Sequence, residues 1–397
     1  MNKRLISAVL GAGALAVTAL TAGVQTADAA APHVTHLTGL HAKRVCTATP
    51  SAGHATCFAK VLVNDKGVIP SATSPLGTAL TPSQLRTAYN LNGTSSGGRT
   101  VAIVDAYGYP NLASDLATFR SQYQLPACGS GCLTVMNQTG GSTPPSANLG
   151  WAQEQALDVD AVSAACPDCK ILVVQANSSS LADLGAAVNT AAKQAGVVAI
   201  SNSYGGGDSA EYSAYNHPGI AITASTGDNG YKGGSYPASS AFVTAVGGTS
   251  LSVTSSGARV SETAWSGAGS GCSTVIAKPS FQTTVNTGCA KRAIADVSAA
   301  ANPNTGGLSV YAPTSLTASS WSQYGGTSES SPIIASVYAL AGGGYSNATP
   351  YSHTSSLFDV TSGSNSKRKC PASQWCVAGT GWDGPTGLGT PNGTGAF

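Results

Sequence analysis

The chain has 397 residues and a net charge of +2, and only 9% of its side chains are charged, against ~25% in a typical soluble domain. Lys367-Arg368-Lys369 is the one basic cluster, which gives no reason to propose a nucleic-acid partner. Gly, Ser, Thr and Ala dominate, so the surface is neutral and hydroxyl-rich, and the length suffices for one large domain or two ordinary ones.

Met1-Asn2-Lys3-Arg4 is followed by a small, apolar stretch from Leu5 to Val24 and by Ala27-Asp28-Ala29-Ala30. A basic start, a short apolar centre and an Ala-x-Ala end read as a secretory signal peptide over 1–30, cleaved near Ala29 or Ala30. No later segment reaches the ~20 continuous apolar residues of a membrane span. The expected protein is therefore exported, extracellular and free of the membrane once cleaved.

From Ala31 to Ala79 the chain looks loop-like, with Pro32, Pro50, Pro70 and Pro75, and reads as a short leader or pro-region. Thr81 and Pro82 then supply an N-cap and a first helical position. The main domain is placed at 80–397.

Thr100 to Val104 is a continuous apolar run of the buried parallel-strand type. Helices are predicted around 111–123, 148–165 and 180–195, and strands at 171–174, 197–200, 220–224 and 242–246. Strands alternating with helices predict an α/β fold, a parallel sheet with helices on both faces. Glycine-rich turns follow several strands, where open α/β sheets bind ligands.

Glu154 and Asp158 are four apart in the second helix, so both carboxyls project from one face, ~6 Å apart. On a solvated face that pair is incidental. In a cleft, crowding makes the two share a proton and raises one pKa. Asp228 lies in the turn Gly227-Asp228-Asn229-Gly230 after a buried strand, and suits either an Asx-turn or a protonated acid that stabilises an oxyanion. Gly325-Gly326-Thr327-Ser328 leads into the apolar run from Ile333 to Leu340, which puts Ser328 at a helix N-terminus with Pro332 in its first turn.

The ten cysteines fall into neighbouring pairs, 46/57, 128/132, 166/169, 272/289 and 370/376. In an exported chain an even count favours disulfides, and neighbouring pairing is the simplest connectivity. Zinc is the rival for Cys166-Pro167-Asp168-Cys169, but no second close pair completes a tetrahedron.

Taken together these stretches resemble the sedolisins, or serine-carboxyl peptidases, relatives of subtilisin. The family's Glu-x-x-x-Asp helix is similar to Glu154 and Asp158, its Gly-Asp-x-Gly turn to Gly227–Gly230, and its Ser-Gly-Thr-Ser-x-Ser-x-Pro to the stretch ending at Pro332. Ser201-Asn202-Ser203-Tyr204-Gly205, Tyr236-Pro237-Ala238, Val246-Gly247-Gly248-Thr249 and Asp296-Val297-Ser298 follow in family order.

The resemblance implies a subtilisin-like fold and a secreted peptidase that acts on proteins or peptides at acidic pH, read here as a monomer. It implies Ser328 as nucleophile, Glu154 as base, Asp158 as the residue orienting that base and Asp228 as the oxyanion acid. It also implies one structural Ca²⁺, held by the carboxylates of Asp359 and Asp383 and the carbonyls of Val360, Gly379 and Gly381, an oxygen-only set that suits this ion.

Three positions depart from the family: Glu329 replaces a small residue, Gly325 replaces serine, and the leader is much shorter than the family's folded pro-domain. Two other readings compete. One is a catalytically silent member of the same fold that acts as a secreted binding protein. The other, an esterase, lacks the Gly-x-Ser-x-Gly elbow. Asp105, at the end of the first strand, is left outside the catalytic set, because no histidine has a catalytic context.

Overall fold

The computed structural model describes residues 1, 39–46, 49–129, 131–343 and 345–397. Apart from Met1, the segment read as a signal peptide lies outside them.

The part read as loop-like departs most from expectation. It contributes three strands, β1 (Leu40–Arg44), β2 (Thr56–Cys57) and β3 (Lys60–Asn64). The apolar centre of β3, Val61-Leu62-Val63, is buried, and β1 covers its edge in an antiparallel pair. Helix α1 (Pro82–Ala88) follows with a full capping box, in which Thr81 accepts from the Gln84 amide and Gln84 returns a bond to the Thr81 amide.

The alternating units then run β4 (Thr100–Ala106), α2 (Leu112–Gln122), β5 (Leu133–Asn137), α3 (Leu149–Ala165), β6 (Lys170–Ala176), α4 (Leu181–Ala192), β7 (Val197–Asn202), β8 (Tyr204–Gly207), β9 (Ala221–Ser225), β10 (Ser235–Tyr236) and β11 (Thr244–Val253). The last strand starts two residues later than predicted, because Phe242 is on the surface, and it runs on through Gly247 and Gly248. Any side chain at Gly248 would collide with Ala301. Antiparallel β12 (Arg259–Ala264) and the hairpin of β13 (Gly271–Ala277) and β14 (Lys291–Ile294) come next. They lead to β15 (Val297–Ala300), β16 (Leu308–Ser315), β17 (Ala318–Gly325) and helix α5 (Thr327–Ala341).

The central sheet has the order β12-β11-β9-β7-β4-β6-β5, with β15 also paired to β11. All its pairs are parallel except that of β12. Side chains of β4 alternate between two cores: Val101 and Ile103 pack with α3 and α5, while Ala102 and Val104 pack with α4. That alternation covers both sheet faces, as the near-continuous apolar strands require.

All ten cysteines are paired in the five neighbouring bridges, which removes the zinc reading of Cys166 and Cys169. Among the described residues no helix is long and apolar enough to cross a membrane.

Candidate active site

Helix α3 is capped by Asn148, whose side chain accepts from the Trp151 amide. Every residue from Trp151 to Ala165 is buried, so α3 is enclosed on all sides, and a helix so placed carries its polar groups into the interior. Glu154 and Asp158 are fully buried on its inner face.

Helix α5 begins at Gly326, whose φ of 110° favours glycine, and a side chain there would come within 2.7 Å of Asp228 Oδ2. Ser328 therefore sits in the first turn, among amides with no helical acceptor. Pro332 was expected in that turn but is the sixth helical residue. Its missing N–H leaves the Ser328 carbonyl without the usual partner four residues on. The Ser203 hydroxyl takes that role, donating to Ser328 O at 3.2 Å and to Asp158 Oδ1 at 2.8 Å.

The four predicted side chains converge. Ser328 Oγ donates to the Ser203 carbonyl at 3.2 Å, a long bond, while the Glu154 Oε1 beside it has no strict hydrogen-bond partner. Burial pushes the Glu154 carboxyl up to about 8; the Ser328 hydroxyl and the Ala59 amide oppose that rise and the charge of Asp228 adds to it. Asp158 is raised well above the carboxylate range by burial, then by Asp105 and Glu154. Asp228 accepts from the amide and hydroxyl of Thr327 at 2.8 and 2.9 Å, and its Oδ2 is unpartnered. Burial raises its pKa, against the pull of Lys60.

Asp105, left outside the catalytic set on the sequence, lies in this cluster. It is fully buried at the C-terminal end of β4, neither oxygen has a strict partner, and its carboxyl meets that of Asp158. Burial and the charge of Glu154 hold its pKa high. Two carboxyls in contact require a proton between them. The signal in the sequence was an acid ending an otherwise apolar strand.

Glu329 is fully buried at the start of α5, and burial raises its pKa well above the usual carboxylate range, against a hydrogen bond from the Leu308 backbone.

Residues Phe58, Ala59 and Lys60 cover the site. The Ala59 amide donates to Glu154 Oε2 at 2.7 Å, the Phe58 amide donates to the Ser203 carbonyl at 3.2 Å, and Lys60 Nζ donates to the Asp228 carbonyl at 2.8 Å. A cleft of about 330 Å³ opens beside Phe58, walled by Gly205–Gly207 and Thr226–Gly230.

At the expected calcium site, Asp383 is buried, and its carboxyl accepts from Thr386 and from the Gly379 amide at 3.1 Å. Asp359 accepts from the Gly381 amide at 2.9 Å. Burial, with Asp359 adding repulsion, pushes Asp383 up to about 7. Among the described residues neither carboxylate is in an ion pair, and no group of three or more His, Cys, Asp or Glu forms a metal cluster.

No family model matches the chain. Over 124 residues it is 38% identical to sedolisin from Pseudomonas sp. (strain 101), a stretch that is 29% of this chain and 20% of that protein's length. In structure it is similar to Pseudomonas sedolisin, a serine-carboxyl proteinase solved with two molecules of pseudo-iodotyrostatin. The TM-score is 0.66 at 26% identity, covering 81% of this chain and 96% of that one. A lanthipeptide protease matches in fold, with a TM-score of 0.50 at 15% identity over 82% of this chain and 99% of that one.

Proposed function

We propose that this chain, sedolisin-like and subtilisin-like in fold, is a secreted serine-carboxyl peptidase that hydrolyses peptide bonds at acidic pH. The observation that carries the reading is the gathering of Glu154, Asp158 and Asp228 around Ser328, all buried, with carboxyl pKa values raised mainly by burial. Five disulfides support export to an oxidising compartment.

In the proposed reaction Ser328 attacks the peptide carbonyl and Glu154 accepts its proton and passes it to the leaving nitrogen. Asp158, held by Ser203, orients Glu154, and a protonated Asp228 donates to the oxyanion. Glu154 must be ionised and Asp228 neutral at the same time. The value near 8 belongs to Glu154 under the leader; opening the cleft restores water to this carboxyl and lowers its pKa, because desolvation is the largest cause of the rise. Asp228 then sets the alkaline limit.

The residues fit one Ca²⁺ at Asp359 and Asp383: two mutually repelling carboxylates without a cationic side chain are relieved by a hard cation, with the carbonyls of Val360, Gly379 and Gly381 as further donors. There the ion would fix the C-terminal loops and take no part in the chemistry.

One observation favours the silent reading, which is that Ser328 is fully buried beneath residues of the leader. Hydrolysis of peptides at about pH 4 by the parent, Ser328→Ala and Glu154→Gln decides between the two. Equal hydrolysis by all three would discard the site.

A further inference from the structure

We propose that the cavity at the C-terminal ends of β4, β5 and β6 is a binding site for a small aromatic ring that carries one hydrogen-bond donor, a phenol or an indole. Gln175 supplies the acceptor.

The cavity measures about 230 Å³ and lies beside the start of α2, with Gln175 in its wall. Tyr109, Leu112, Val135 and Pro144 make most of the remaining wall apolar. Val135, on the edge strand β5, is 38% exposed there, an apolar side chain left open to solvent. An apolar cavity of ~150 Å³ is enough to take up benzene, so this one has room for a single ring and a substituent. Mostly apolar walls with few polar groups are what a small-molecule site presents.

Gln175 breaks the apolar run of β6, which reads Ile171-Leu172-Val173-Val174 before it. It is 1% exposed, and its Oε1 has no hydrogen-bond partner among the described residues. Buried polar atoms are nearly always paired, so an orphan acceptor in the wall of a cavity marks a missing donor.

The direction of that acceptor is fixed by its neighbours. Gln155 Nε2 donates to the carbonyls of Tyr107 at 3.1 Å and Ala106 at 3.4 Å, and a carbonyl can only accept. Gln155 Oε1 therefore faces β6, where it accepts from Gln175 Nε2 at 2.9 Å. This turns Gln175 Oε1 away from Gln155. Asp105, the register partner of Gln175 on β4, meets Asp158 instead.

The other polar side chains of the wall are already engaged or stand at its edge. Asn137 accepts from Thr139 and from the Gly141 amide and donates to the Thr143 carbonyl. The Tyr109 hydroxyl donates to Asp115, and Ser142 is exposed at the rim. A buried water makes about three hydrogen bonds, whereas a phenol hydroxyl or an indole N–H needs one acceptor and brings a ring to the apolar walls. A ligand bound there is linked through Gln175 to Gln155, the residue after Glu154 on α3.

Binding is measured by ligand-observed NMR on the full chain, so the result stands whether or not Ser328 hydrolyses peptides. 4-Methylphenol and 3-methylindole are compared with toluene, which has the ring and no donor. At least one of the two donors should bind at least roughly tenfold tighter than toluene. Val135→Trp, which places a bulky side chain at an exposed wall position, should abolish binding of all three. Gln175→Met, of similar volume and without an acceptor, should bind 4-methylphenol and toluene alike. N-acetyltyrosinamide identifies the source: binding equal to that of 4-methylphenol means an aromatic side chain of a peptide, and binding of 4-methylphenol alone means a free small molecule. The proposal is overturned by a folded parent that binds none of the rings, by toluene binding as tightly as both donors, by Val135→Trp binding as the parent does, or by a donor preference that survives in Gln175→Met. If Gln175→Met does not fold, the comparison with toluene on the parent carries the donor test by itself.

Discussion

The Ser203 carbonyl holds the Ser328 hydroxyl at 3.2 Å, while the Ser203 side chain reaches Asp158 at 2.8 Å. Ser203 thus contacts the Ser328 hydroxyl with its backbone, and Asp158 and the Ser328 carbonyl with its side chain. Ser203→Ala keeps the carbonyl contact and removes both side-chain bonds, the one to Asp158 and the one to the Ser328 carbonyl. A hydrogen bond to a charged group contributes ~1.5–3 kcal/mol, so kcat should fall roughly ten- to a hundredfold with KM nearly unchanged. A variant with the parent's kcat would show that Asp158 needs no such support.

The pH profile follows from Asp228. In the proposed mechanism its neutral form donates to the oxyanion, so activity should fall as pH rises through its elevated pKa. Asp228→Asn, which cannot ionise, should lose kcat by roughly a hundredfold or more and also lose this alkaline limb. A parent profile peaking near pH 8 or above would contradict the acid assignment.

Stability should also favour acid. Glu154 is raised from 4.5 to about 8 in the fold and Asp383 from 3.8 to about 7. For carboxyls raised by folding, the native state binds more protons than the unfolded one between the two values, so unfolding free energy falls as pH rises through that window. The contribution is complete below the unfolded values and lost as pH climbs toward 7 and 8. Urea midpoints measured from acid to slightly alkaline pH should decline, and Glu154→Gln should flatten the slope.

Glu329 offers a separate check, since it lies in the core and burial raises its pKa well above the usual carboxylate range, against a hydrogen bond from the Leu308 backbone. Glu329→Gln keeps the shape and removes the titration. Thermal melts should show the variant more stable than the parent at neutral pH and equal to it in acid, with kcat preserved. A large loss of kcat would mean that Glu329 acts on Ser328 after all.

Calcium should raise the melting temperature more at neutral pH than in acid, because protons compete for Asp383. Asp383→Asn should abolish the increment, and chelation should reproduce the variant's melting temperature in the parent. No calcium response in the parent would remove the ion from the proposal.

Much of the fold was legible because its signals are local. The apolar run at Thr100–Val104 and the capped helices at Thr81, Asn148 and Ser180 each announce themselves within a few residues. Glu154 and Asp158 were readable for the same reason, since helical spacing alone puts them on one face. The strands before α1 were not: Cys57 pairs with Tyr204 and Lys60 with Gly325, contacts between distant parts of the chain that no short window contains. Asp105 was visible at the end of an apolar strand but was set aside for want of a histidine, and only the fold places Asp158 beside it. Pro332 was misjudged by a few residues because the helix starts at Thr327, which depends on the Gly326 turn rather than on the proline.

That proline gives the protein an adjustable joint. By withholding an amide, Pro332 detaches the main chain at Ser328 from the rigid rhythm of α5 and attaches it to β7 and its following turn through Ser203. Alanine at 332 would hand the carbonyl back to the helix, so engineers could retune Ser328 from a buried position one turn further along the helix.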